Sequence, residues 1–180
     1  ALFILGLICL VLACSQEKPY SQSARKFRTQ VSADLTRLTE LLKPALQGPD
    51  VRAAADASIA EFFQTVSTAG RSGCIVAVLG TEMHYIAGRS LDPGQPSGVS
   101  LEVELSNYEY LKSAFKGLEQ GRIVQNTLHF RQQKIYVVSA PVRNSVRTLG
   151  FVFIAFPAER FESMWAISEE EFRRLDFNAS

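Results

Sequence analysis

The densest hydrophobic patterning lies between residues 105 and 156. It opens on an amphipathic helical signal, in which Ser106 or Asn107 can cap and Tyr110, Leu111, Ala114, Phe115 and Leu118 recur at helical spacing. Three strand-like runs follow, Arg122 to Phe130, Lys134 to Val142 and Leu149 to Phe156, separated by polar turns. In the last two, apolar residues fill odd and even positions alike, as in Ile135-Tyr136-Val137-Val138 and Phe151-Val152-Phe153-Ile154. Both faces of the sheet they build must therefore be covered.

Upstream, Phe27, Val31, Leu35, Leu38 and Leu42 form one apolar stripe at helical spacing. Pro44 and Gly48-Pro49 interrupt it, and Asp50 can cap a second helix with a stripe of Ala54, Ala57, Phe62 and Val66 that runs to Gly70. Cys74 to Leu79 reads as a buried strand, Gly80-Thr81 as a turn and Met83 to Ala87 as a second strand, giving a hairpin. Residues 88–100, rich in Gly and Pro, form a long loop that, with the helix at 106–118, can lie as a lid over the sheet. After Pro157 a short helix spans Ala158 to Trp165, and Ser168 caps a final polar helix through Glu171. The expected fold is α+β: a five-stranded antiparallel sheet with N-terminal helices on one face and a loop-helix lid on the other.

The run Asn107-Tyr-Glu-Tyr-Leu-Lys-Ser-Ala-Phe-Lys-Gly117, followed by Val137-Val-Ser-Ala-Pro-Val-Arg-Asn144 and Leu149-Gly-Phe-Val-Phe-Ile-Ala155, resembles the Cache family of PAS-like extracytoplasmic sensor domains. The likeness spans roughly residues 25–165. It implies a small-molecule ligand held between sheet and lid, and an output read elsewhere. Gly80-Thr81-Glu82 departs from the Asp and Gly that many Cache domains carry at this turn, and the Arg, Trp, Tyr and Asp pattern of the amino-acid-binding subfamily is not matched.

The leader changes the picture of where the domain works. ALFILGLICLVLAC is apolar, short for a membrane span, and stops at polar Ser15-Gln-Glu-Lys-Pro19. Val11-Leu12-Ala13-Cys14 resembles a bacterial lipobox, which makes Cys14 the lipidation site. The expected organisation is a signal peptide at 1–13, a tether at 14–24, one Cache-like domain at 25–167 and a C-terminal helix and tail at 168–180. The expected location is the cell envelope, with Ser15 favouring the outer membrane if the cell is Gram-negative. Of the three cysteines only Cys74 then remains in the folded domain, so no internal disulfide is expected. No second hydrophobic span follows, which points to a separate protein partner for signalling. An ordinary cleaved signal or a short membrane anchor is the competing reading of the leader.

Composition fits one domain with a sizeable core: 180 residues, 47% hydrophobic and 21% charged. The 19 basic and 18 acidic residues carry no basic stripe, so nucleic acid is not an expected partner. With two histidines and no paired-Cys spacing, neither a metal site nor any cofactor is expected. No nucleophile elbow, phosphate loop or dinucleotide fingerprint is present, so no catalytic residue is assigned. Candidate ligand contacts are Tyr85, Tyr110, Arg122, Asn126, Tyr136 and Ser139. Arg122 and Asn126 share a face of the strand at 122–130, where an Arg suits a ligand carboxylate. An edge strand with solvated polar residues explains the same pattern. For Ser139, a hydroxyl bonded to nearby backbone is the simpler role. The function expected is a lipid-anchored sensor of a small polar molecule, of the organic-acid or amino-acid class. The alternative is an envelope interaction or structural lipoprotein with a filled pocket.

Overall fold

The computed structural model describes residues 20–92, 112–130 and 133–178. Helix α1 spans Gln22–Ala45 and α2 Val51–Thr65; strands β1 and β2 are Ile75–Leu79 and Tyr85–Ser90. A 3-10 turn at Lys116–Gln120 leads into β3 (Val124–Phe130), β4 (Gln133–Arg143) and β5 (Thr148–Pro157). Helices α3 (Ala158–Trp165) and α4 (Glu169–Arg174) close the described chain.

The five strands form one sheet in the order β2-β1-β5-β4-β3, with every neighbouring pair antiparallel. The first hairpin therefore sits beside the last strand, and the central strands β1, β5 and β4 are the continuous apolar runs. Gly150 lets β5 pass close to β1: a Cβ there would lie 2.6 Å from the Leu79 carbonyl oxygen. The first turn is longer than Gly80-Thr81. Gly80 N–H donates to His84 O and Met83 N–H to Gly80 O, with Met83 left-handed at φ 60°. This moves the second strand to Tyr85–Ser90, so residues 88–90 belong to the sheet and not to the long loop.

Helix α1 starts at Gln22, inside the stretch expected as tether, because Ser21 Oγ accepts from the Ala24 N–H at 3.1 Å. Its predicted stripe is the buried one: Phe27, Val31, Leu35, Leu38 and Leu42. Pro44 lies in the last turn and the helix ends one residue later. In α2 the Asp50 cap holds, accepting from the Ala53 N–H at 3.2 Å. The buried stripe, however, is Ala55, Ile59 and Phe62 rather than Ala54, Ala57, Phe62 and Val66, and the helix ends at Thr65. An Ala-rich helix has several nearly equal apolar faces, and Ile59, the largest aliphatic residue in its interior, decides which one is buried. Ser168 caps α4 by accepting from the Glu171 N–H.

Helices α1, α2, α3 and α4 all cover the same face of the sheet. Phe27 is the hinge pin of that layer, with its ring within 4.9–6.3 Å of Phe156, Phe161, Trp165, Phe172 and Phe177. Asp34, buried on α1, accepts two hydrogen bonds of 2.8 Å from Arg71 and fixes the helix to the turn before β1. Asp56 on α2 takes a matching pair from Arg89 on β2, whose guanidinium holds the Asp56 carboxyl below its ordinary range.

Candidate functional site

The other face of the sheet is the one expected beneath the lid. Its strand residues are Ile75, Ala77 and Leu79 of β1, Phe151, Phe153 and Ala155 of β5, Ile135 and Val137 of β4, and Leu128 of β3, with Tyr85 and Val124 packed alongside. The register puts short side chains together at one end of this face. Ala77 pairs with Gly88 of β2, and Ile75 pairs on one side with Ser90 and on the other with Ala155. Directly paired residues share a face, so Ala77, Gly88, Ser90 and Ala155 form a low floor around Ile75, bordered by Tyr85 and Phe153. Toward β3 the floor rises, because Phe115 and Leu118 pack down on the sheet from the 3-10 turn. The Phe115 ring meets Phe153 edge-on at 4.9 Å.

Asn126 and Ser139 both lie on this face and both are engaged by backbone. Asn126 Nδ2 donates to Ala114 O at 2.9 Å, and its Oδ1 accepts from the Thr127 N–H at 2.8 Å. It ties the turn that precedes β3 to the sheet edge. Ser139, fully buried, donates to Val124 O at 3.0 Å. A buried hydroxyl with a backbone acceptor is satisfied and has no base beside it, as its place in an apolar strand implies. Tyr85, half-buried, stands at the border of the low floor.

Arg122 and Tyr136 are elsewhere, and each requires a correction. Strand β3 begins at Val124, after Gly121 turns the chain through a left-handed conformation at φ 80°, so Arg122 precedes the ladder and is exposed in an outer groove. Tyr136 points to the helix face, where it packs against Phe161 and Phe172 with ring centroids at 4.6 and 4.8 Å. Its hydroxyl donates to Glu162 Oε1 at 2.6 Å. Burial, and then the Glu162 carboxylate, push the Tyr136 hydroxyl up to about 12, so it stays protonated as a donor. Tyr110 and Cys14 lie outside the described residues.

Three further features escaped the pattern-based reading. One is the low floor itself, since Gly88 and Ser90 read as loop. Another is the Asp34–Arg71 pair, which joins residues 37 apart in the chain. The third is a cluster at the foot of α3 and α4, where Lys134 Nζ bonds Glu162 at 3.1 Å and Glu169 at 3.2 Å. Tyr136 and then Lys134 hold Glu162 below the usual carboxylate range; Lys134 holds Glu169 below it, and both carboxylates with Tyr136 raise the lysine. His84 and His129 are both exposed. Among the described residues there is no group of His, Cys, Asp or Glu that can hold a metal ion. Burial pushes the Cys74 thiol far above its ordinary range, which makes it a poor nucleophile.

No protein-family model and no curated protein matches the chain. Solved structures do. The ligand-binding domain of the Campylobacter jejuni chemoreceptor Tlp3, in complex with L-valine, aligns over 80% of this chain with a TM-score of 0.58 at 10% identity. That of the Pseudomonas fluorescens chemoreceptor CtaA aligns over 80% with a TM-score of 0.51 in complex with L-valine, and over 82% with 0.50 in complex with L-serine, both at 13% identity. The fold is Cache-like. The Cache-like domain spans 58% to 60% of the length of those receptor domains, so the likeness is to part of each. Among the described residues no helix is long and apolar enough to cross a membrane.

Proposed function

We propose that this chain is an extracytoplasmic sensor domain that binds a small molecule on the lid-side face of its sheet and does not transform it. The observation that carries the reading is the floor of short side chains, Ala77, Gly88, Ser90 and Ala155, beside Tyr85. On a sheet whose other face is filled by aromatic rings, this is where the side chains are shortest. The fold it shares with chemoreceptor ligand-binding domains supports the same use. The strand residues of this face are uncharged, so the ligand would meet an apolar floor with neutral polar groups at its margin, the Tyr85 hydroxyl and Ser90. That suits a small, weakly polar molecule or the apolar part of an amino acid or organic acid.

The anchor is part of the proposal. Val11-Leu12-Ala13-Cys14 supports acylation of Cys14 and an envelope location, with the outer membrane favoured by Ser15. Because a lipid reaches into one leaflet only, occupancy would be read by a partner protein at the domain surface. Mass analysis of the mature N-terminus tests this arm.

Thermal unfolding of the chain against amino acids, organic acids, amines and purines tests the binding arm. A ligand that binds only the folded state, at about a hundredfold excess over its Kd, adds roughly 2.7 kcal/mol of stability. A shift confined to one chemical class establishes the sensor. A second reading, an envelope interaction protein with a filled pocket, is favoured by Asn126 and Ser139, both of which spend their hydrogen bonds on backbone. Absence of any shift across the panel, with no ligand carried through purification, selects it.

A further inference from the structure

The displaced Arg122 lies in a groove of about 400 Å³ on the outer edge of β3, where Arg173 and Arg174 of α4 also line the wall. Three arginines and one acidic residue, Asp176, line it, and Asp176 Oδ1 accepts from the Asn178 N–H. Arg173 is paired with Glu169. Neither the Arg122 nor the Arg174 side chain has a hydrogen bond or an ion pair among the described residues, and both are exposed. Several backbone acceptors of the wall, by contrast, are already taken. Gln125 donates to Arg173 O and Leu175 O, Asn178 Nδ2 to Ile123 O at 2.9 Å, and Tyr20 to Arg174 O at 2.6 Å. With these backbone acceptors engaged, and with Arg122 and Arg174 unpaired among the described residues, the groove is suited to receive an anion. Guanidinium forks match phosphate oxygens best.

The groove also has a fixed place relative to the start of the domain. The Tyr20 hydroxyl bond to Arg174 O, the Ser21 N–H bond to Glu171 at 2.7 Å, and the Arg28 bond to Asp176 O at 3.2 Å hold the beginning of α1 against the wall. Tyr20 follows Cys14 by 6 residues. Such a segment reaches about 20 Å when fully extended. We infer that this groove binds the phosphate of an anionic phospholipid in the membrane that carries the anchor, so that Arg122 and Arg174 orient the domain on the bilayer. The lipid as the source of the phosphate rests on the proposed acylation of Cys14; the anion-binding groove itself does not.

The test uses the full chain carrying Cys14→Ser, with vesicles of phosphatidylcholine alone or with added phosphatidylglycerol, at low salt. The apolar residues 1–13 contribute equally to both compositions, so the excess on anionic vesicles isolates the groove. The expected result is a clear anionic excess that Arg122→Gln with Arg174→Gln lowers by about 30-fold, the factor for two cations near an anionic surface. Arg122→Lys with Arg174→Lys keeps the charge and retains most of the excess, which separates loss of the site from loss of the fold. Equal binding to both vesicle types, or an excess untouched by the Gln pair, overturns the proposal. Stabilisation by millimolar inorganic phosphate without an anionic excess overturns the lipid source. The mass of the mature chain reports acylation separately: an unmodified Cys14 beside an intact excess supports the groove and removes only the anchor.

Discussion

The two faces of one sheet have been put to opposite uses. On the helix side, Phe27, Tyr136, Phe156, Phe161 and Phe172 are all fully buried and interlock in edge-on and tilted pairs. On the lid side, the same strands present Ala77, Gly88, Ser90 and Ala155 around Ile75 at one end, while Phe115 and Leu118 pack down nearer β3. Aromatic rings bury the most surface per residue and lock one another's rotamers, so the first face supplies rigidity. Short side chains supply room. The proposed sensor needs both, and alternation along a β-strand lets one stretch of sequence encode them at once.

The comparison is broken most severely by truncating its central ring. Phe27→Ala removes the ring that five other aromatics touch and is expected to cost about 4 kcal/mol, read as a lower urea midpoint with an unchanged slope. On the lid side the largest effect expected of a single polar truncation is smaller. Asn126→Ala leaves Ala114 O and Thr127 N–H without their partner and should cost about 1–2 kcal/mol. Its signature is local: faster amide exchange around residues 112–121, with the helix face unchanged. If Asn126→Ala loosens both faces equally, the lid turn is part of the rigid layer and the contrast between the faces is lost.

These differences were only partly readable in advance. Local signals carried the strands and most helix ends: Pro157 ahead of α3, Ser168 at the cap of α4, Asp50 at the cap of α2, and the α1 stripe. Non-local choices were harder. The Ala-rich α2 offered several apolar faces, and only packing against the sheet selects Ala55, Ile59 and Phe62. Arg122 was grouped with Asn126 by counting in twos, but alternation holds only inside a ladder, and the ladder begins two residues later. Tyr136 and Ser139 are an odd number of positions apart within one strand, so alternation alone already places them on opposite faces. The low floor was hidden because Gly88 and Ser90 look like loop until the longer turn at Gly80–His84 shifts the register of β2.

A smaller effect comes from acid. Glu162 and Glu169 are held below their ordinary range in the folded state by Tyr136 and Lys134, so folding favours their ionised forms. The stability they give is complete above about pH 4.5, the ordinary Glu value, and is lost as pH falls through the lower folded values. Both side chains are substantially exposed, so the loss is modest. Lys134→Met should flatten this part of the pH profile, and a profile that keeps its shape in that variant would assign the acid sensitivity to other carboxylates.

The most direct test of the lid-side site uses whichever compound raises the melting temperature of the wild-type chain. Ala155→Leu fills the floor at the point where β5 borders Ile75, at an intrinsic cost of about 1–3 kcal/mol for overpacking. Measured side by side at the same ligand concentration, the wild type should keep its full shift and Ala155→Leu should lose it, while the helix face holds the variant folded. An equal shift in both proteins would mean that the ligand binds somewhere other than this face.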